Sequence, residues 1–123
     1  MQNPFSKNIS AIILTLLIIE IFLFSSIPGN SFKGETFPNA IAYHFIIFFL
    51  FNFFVLSSIN PSSKKYFSIA IILSITQSLL DEFHQLFIFG RSASLNDVLI
   101  DISGILISSL IWKLKFAKTI NKF

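Results

Sequence analysis

The sequence predicts an all-α integral membrane protein, a bundle of four transmembrane helices with both termini in the cytoplasm. Three observations predict it. Hydrophobic residues make up 54% of the 123 residues and charged residues only 12%, about half the ~25% charged content of a soluble domain. The apolar residues fall into four runs, near 9–27, 40–59, 66–87 and 95–112, each close to the ~20 residues an α-helix needs to cross the hydrocarbon core. The basic residues gather on one set of flanks. With 17 Phe, the composition excludes a disordered chain and argues against a water-soluble fold. Absence of Cys excludes disulfide scaffolds, zinc–thiolate sites, iron–sulfur clusters and Cys nucleophiles. Residues 1–123 are expected to form one four-span domain.

The first run is interrupted only by Ser10, Thr15, Glu20, Ser25 and Ser26. Lys7 precedes it, as in a signal peptide, but its apolar core exceeds the usual ~7–15 residues and no A-x-A-like site follows, so it reads as a retained span. The second run is rich in Phe. Its clusters Phe48-Phe49-Leu50-Phe51 and Phe53-Phe54 read as lipid-facing or packing residues rather than a cofactor box. The third begins near Tyr66 and fades between Phe83 and Phe89. Its eleven Ile, Leu and Phe residues between positions 67 and 87 favour insertion by roughly 3–7 kcal/mol. Two acids at mid-membrane would oppose this by about 5–7 kcal/mol. Asp81 and Glu82 are therefore expected near an interface or beside partners. The fourth run opens with Ser94-Leu95-Asn96-Asp97, a capping-box pattern. Turn residues at 28–30, 60–63 and 90–92 separate the runs. Strands fit poorly, because the runs are long and lack period-2 alternation.

Charge orients the bundle. Four spans place the N-terminus, the second loop and the C-terminal tail on one side, with Lys7, Lys64, Lys65, Lys113, Lys115, Lys118 and Lys122. The other side holds only Lys33 and Arg91. This bias puts the lysine-rich side in the cytoplasm and the first and third loops outside. The tail is expected to sit on anionic inner-leaflet lipid rather than bind nucleic acid.

The acids and nearly every other reactive side chain lie toward the outer side. Glu20 falls about two turns from the outer end of its span, Asp81 and Glu82 near the end of theirs, and Asp97 and Asp101 open the fourth. His44, His84, Gln85 and Arg91 share this level. On a helical wheel Ser74, Gln77, Ser78, Asp81, Glu82 and Gln85 fall within ~140°, with His84 at the edge; Ser94, Asp97, Asp101, Gly104 and Ser108 fall within ~80°. Both stripes should face the bundle interior. Five carboxyls near one Arg and two titratable imidazoles cannot all ionise comfortably. Either some stay protonated or a cation completes the cluster: a metal ion, a lipid ammonium group or a substrate amine.

The stretch from Glu82 through Gln85, Phe87, Gly90 and Arg91, followed by Asp97 and Gly104, resembles the VanZ-like family of small bacterial membrane proteins. Its pattern is E-x-x-Q-x-F, then G-R, then an Asp at the next span. The Ser25-Ser26-Ile27-Pro28-Gly29 segment and His44-Phe45 also fit. Phe89 stands where Pro is frequent, Asp101 where Asn is usual, and Ile41 where Lys is frequent. The resemblance implies an association with reduced susceptibility to glycopeptide antibiotics of the teicoplanin type, and no defined reaction.

Glu82 and His44 are the candidate catalytic residues, as general base or proton carrier. Arg91, Gln85, Asp97 and Asp101 are the candidate ligand-binding residues, with the Arg91 fork suited to a phosphate or carboxylate. Each has a structural alternative. Glu82 or Asp97 would pair with Arg91, Asp97 would cap its helix, and His44 would serve as an interior hydrogen-bonding group. Glu20 is expected to be protonated or bonded to a neighbouring span, His84 to pack at the interface, and Gln85 to orient Glu82 or Arg91. No H-E-x-x-H, phosphate-cradling Gly loop or G-x-S-x-G is present, and Glu82-x-His84 diverges on a helix. No metal site or cofactor is therefore assigned. A metal would need ligands from several helices. The expected partner is a membrane lipid or lipid-linked wall intermediate. The competing readings are an interfacial hydrolase or transferase and a structural membrane subunit without a small-molecule site.

Overall fold

The computed structural model describes residues 5–29 and 37–116. Lys33, Lys118 and Lys122, used above to orient the bundle, lie outside them. Four helices follow one another: α1 (Lys7–Ser25), α2 (Phe37–Ile59), α3 (Lys64–Gln85) and α4 (Leu95–Phe116). All four are long and apolar enough to cross a membrane. Among the described residues there is no strand.

The helix ends follow local chemistry. Ser6 caps α1 by accepting from Ile9 N–H at 3.2 Å, and Ser63 stands at the cap of α3, 3.5 Å from Tyr66 N. These are the small hydroxyls preferred where the first amides lack partners. α2 ends at Asn60, whose φ of 46° is one that Asn tolerates better than most residues. α3 stops at Gln85, two residues short of the span expected at 66–87. There the bonds shorten to i→i+3, from Leu86 to Phe83, Phe87 to His84 and Ile88 to Gln85. The tightened turn leads to Gly90 at φ 74°. α4 continues past the expected end at 112 to Phe116, carrying Lys113 and Lys115. Long basic side chains extend a helix beyond its apolar stretch by reaching for the interface.

The helices alternate in direction. The Phe5 ring lies tilted against Phe54 and the Phe53 ring edge-to-face with Phe116, while Phe67 approaches Trp112. This end joins the start of α1 and α3 to the finish of α2 and α4. The described lysines, Lys7, Lys64, Lys65, Lys113 and Lys115, all belong to it. The finish of α1 and α3 and the start of α2 and α4 make the other end, as His84–Ser26 and His44–Asp101 contacts require.

α2 is the central helix. Phe48, Phe51, Val55 and Leu56 are buried against Ile105 and Trp112 of α4, Ala70 of α3 and Leu17 and Ile21 of α1. Two members of the Phe clusters, Phe48 and Phe51, are therefore core residues. α2 and α4 approach closely at Gly104, where an added Cβ would lie 2.5 Å from the Phe45 carbonyl oxygen. Serines 57, 74, 78, 108 and 109 line the interior, the small residues that let helices approach closely in lipid. Outward faces carry Ile12, Leu16, Ile72, Leu73 and Leu110, all more than half exposed. In water this surface would be costly; in hydrocarbon it matches its solvent.

Asn52 ties the middle of the bundle together. Its Nδ2 donates to the Ile105 carbonyl at 3.1 Å and to Ser109 Oγ at 2.9 Å, while its Oδ1 accepts from Ser74 Oγ at 2.9 Å. One fully buried amide thus links α2, α3 and α4. Nothing in hydrocarbon competes for these bonds.

Candidate functional site

The polar layer forms at the end away from the lysines. The finish of α1 is fastened to the loop after α3. Gly29 N–H donates to the Phe89 carbonyl at 3.1 Å. A Cβ at Gly29 would lie 1.8 Å from the Gly90 carbonyl oxygen, so only glycine fits. Arg91 donates from Nε to the Ile27 carbonyl and from a terminal nitrogen to the Phe24 carbonyl, both at 3.1 Å. These carbonyls lie in the last turn of α1 and just beyond it, where orphan acceptors and the negative end of the helix dipole favour a cation. His84 bonds Ser26 Oγ at 3.0 Å and lies against Phe22 with ring centroids 4.8 Å apart. It packs at the α1–α3 interface, as its place at the edge of the stripe suggests.

Below this clasp, three helices converge. His44 of α2 places Nδ1 2.9 Å from Asp101 Oδ1 of α4, and Ser78 of α3 donates to Asp101 Oδ2 at 2.7 Å. Asp101 is fully buried, so both oxygens are engaged where an unpaired carboxylate would be costly. With Nδ1 committed, the other ring nitrogen of His44, Nε2, lies 3.9 Å from Asp97 Oδ2.

Glu82 rearranges the capping box at the start of α4. Ser94 Oγ accepts from Asp97 N–H at 3.3 Å, which is half of the box. In the reciprocal half the Asp97 side chain would take the Ser94 N–H. Instead Ser94 N–H donates to Glu82 Oε2 at 2.7 Å, and Gln85 Nε2 donates to Glu82 Oε1 at 3.3 Å. Asp97 is thereby released to face His44. Gln85 also donates to Asp81 Oδ2 at 3.1 Å; it orients two carboxylates at once.

A cavity of about 560 Å³ opens at this end. His44, Asp81, Gln85, Arg91 and Asp97 line it together with Tyr43 and Ser25, and Ile21, Ile47 and Phe48 close its floor. Glu82 is 4% exposed and is not among the lining residues; it stands behind Ser94 and Gln85. Two further groups were not singled out by the sequence. Among the described residues the Ser25 and Tyr43 hydroxyl oxygens are buried without a hydrogen-bond partner, and both residues line the cavity. Their sequence signal was a hydroxyl within a turn of a span end, with Ser25 also opening the Ser25–Gly29 segment.

All six candidate residues thus reach one layer, in three groups: His44 with Asp101 and Asp97, Glu82 with Gln85, and Arg91 at the clasp. Pairing of Glu82 or Asp97 with Arg91 is not what fixes them, because Glu82 is held by Ser94 and Gln85 while Arg91 caps α1. Glu20 does not join the layer. It lies on the exposed face of α1, since a helix wheel around a mostly apolar span does not fix which face turns inward. The inward-facing prediction holds for α3 and α4: Ser74, Ser78, Asp81, Glu82 and Gln85, then Asp101, Gly104 and Ser108, are buried.

Four apolar helices with a buried polar layer and a cavity at one end define a multi-pass α-helical membrane protein. Residues 6–116 match the model of the VanZ/LLP1 family, and the chain belongs to that family. No curated protein and no solved structure matches it significantly. The Ser25–Gly29 and Gly90–Arg91 segments of the resemblance meet in space at the clasp.

Proposed function

We propose that the chain is a cell-envelope membrane protein whose cavity opens at the outer leaflet and receives a polar headgroup, of a membrane lipid or of a lipid-linked wall intermediate. In this reading both termini are cytoplasmic, and occupancy of the cavity lowers susceptibility to teicoplanin-type glycopeptides by changing access to their target. The single observation that carries it is the cavity wall. It combines the His44 imidazole, the Asp97 carboxylate and two buried hydroxyls, of Ser25 and Tyr43, that lack partners among the described residues. Buried polar groups without partners are uncommon and ask for an acceptor or donor beyond the described residues. A headgroup entering from the interface would supply both, while its acyl chains stay against the exposed apolar faces.

The test is lipid identification on the purified protein. Native mass spectrometry of the wild type in envelope lipid extract is expected to retain a discrete lipid. Tyr43→Phe combined with Ser25→Ala should keep the fold and lose that lipid. Equal retention by both proteins, or retention of bulk phospholipid only, would defeat the headgroup reading. Glycopeptide susceptibility of cells expressing the two forms then tests the link to resistance.

One observation favours a second reading, an interfacial hydrolase or transferase. Asp101 fixes one nitrogen of His44 and leaves the other toward the cavity, the arrangement a general base requires. Turnover of a lipid-linked substrate that disappears in His44→Gln, with lipid retention unchanged, would select this reading over binding alone.

A further inference from the structure

We propose that His44, Glu82 and Asp97 hold a divalent transition-metal ion, with zinc the best match, and that its open coordination position faces the cavity. The three residues come from α2, α3 and α4. One ligand atom from each lies within 4.8 Å of the other two. A nitrogen and two carboxylate oxygens form a donor set that zinc accepts at about 2.0–2.2 Å, with three protein ligands and one vacant position typical of its catalytic sites. Mixed imidazole and carboxylate donors favour zinc or manganese over calcium and magnesium, which prefer all-oxygen shells.

The surroundings are those of a metal-binding histidine. Such a residue ligates through one nitrogen and directs the other to a carboxylate that fixes the ring. Asp101 occupies that place at 2.9 Å from Nδ1, and Ser78 holds the far oxygen of Asp101 at 2.7 Å. Glu82 is fixed in the same manner by Ser94 N–H and Gln85. Asp97 Oδ2 lies 3.9 Å from His44 Nε2, wide for a direct hydrogen bond. Asp97 is the most exposed of the three side chains, so a small rotation closes the set. A cation also answers the charge imbalance, because two carboxylates meet one imidazole here and Arg91 is engaged at the α1 terminus.

A second observation points to a ligand in the same cavity. The Ser25 hydroxyl is 4% exposed, has no hydrogen-bond partner among the described residues and lines the cavity that His44 and Asp97 also line. A water or an anionic oxygen on the open metal position would sit in that cavity and offer the hydroxyl an acceptor. Zinc binding here does not depend on the headgroup reading: the metal binds whether or not a lipid does.

The experiment is metal titration of the detergent-purified, chelator-treated full chain with zinc, manganese, calcium and magnesium chlorides, followed by calorimetry and elemental mass spectrometry. One zinc per chain is expected, at least tenfold tighter than calcium or magnesium. Asp97→Asn and His44→Ala should each weaken zinc by tenfold or more, whereas Gln77→Ala should not. Asp101→Asn, which changes a positioning residue, should weaken zinc by about 10–100-fold. Cobalt gives a second readout: a visible d–d absorption in the wild type that Asp97→Asn abolishes. If His44→Ala does not fold, the Asp97→Asn titration decides alone, since that side chain is partly exposed. Failure to retain zinc, equal affinity for zinc and calcium, or zinc binding unchanged in Asp97→Asn would overturn the site. A wild type that binds zinc but retains no discrete lipid would count against the headgroup reading only.

Discussion

Glu82 of α3 accepts the backbone N–H of Ser94 at 2.7 Å and so takes over the capping position that the Asp97 side chain would otherwise fill. A carboxylate from one helix closes the start of another, and the acid native to that helix turns to His44. The same bond joins α3 to α4 across the intervening loop. Two carboxylates that look equivalent along the chain therefore have different tasks: Glu82 is enclosed and builds the site, whereas Asp97 lines the cavity.

That division predicts unequal stability effects. Charged hydrogen bonds contribute about 1.5–3 kcal/mol and neutral ones about 0.5–1.5 kcal/mol, so Glu82→Gln should lower stability by roughly 1 kcal/mol. Glu82→Leu leaves the Ser94 amide without its acceptor and should cost more, about 2–3 kcal/mol. Asp97→Asn should change stability little. Thermal unfolding in one detergent, followed by circular dichroism, checks the order; an equal drop for Glu82→Gln and Asp97→Asn would contradict it.

Asn52 should behave as a structural residue of the bundle's interior. Asn52→Leu removes bonds to Ile105, Ser109 and Ser74. Interhelical bonds of this kind contribute about 0.6–2 kcal/mol in membranes. The variant should melt earlier yet bind lipid and zinc like the wild type once folded. A selective loss of binding at unchanged stability would move Asn52 into the functional site.

Gly104 admits no side chain without a shift of α2. An alanine Cβ would meet the Phe45 carbonyl at 2.5 Å and Phe49 N at 3.1 Å. Backbone atoms cannot yield as a flexible side chain does, so Gly104→Ala should cost about 1–3 kcal/mol and Gly104→Leu should not assemble. Size-exclusion profiles of the two variants measure this directly. A monodisperse Gly104→Leu would show that α2 and α4 need not touch there.

The absence of Cys makes orientation directly measurable. Ser92→Cys in the loop after α3 should react with a membrane-impermeant maleimide on intact cells. Lys115→Cys near the end of α4 should react only after the membrane is opened. The reverse pattern would put the cavity on the cytoplasmic side and remove the outer-leaflet reading, while leaving the fold and the metal site intact.

The four helices were legible because burial in lipid imposes length and apolarity on every span, and both are sequence properties. The inward stripes of α3 and α4 were legible for the same reason: polar residues at helical spacing have only one low-cost direction to face. α1 resisted this reading, since a lone Glu20 sets no stripe, and the structure leaves it on the outer face.

By itself, then, the sequence determined the class of protein, the count of spans, the segregation of lysines from acids, and the six residues gathered in one layer. Only the tertiary structure decided the pairings: His44 with Asp101, Glu82 with Ser94, Arg91 with the end of α1, and Asn52 across three helices. Hydropathy and helical period fix the depth and face of a residue on its own helix. They leave open the rotation and height of neighbouring helices, and hydrogen bonds a few ångströms long depend on both.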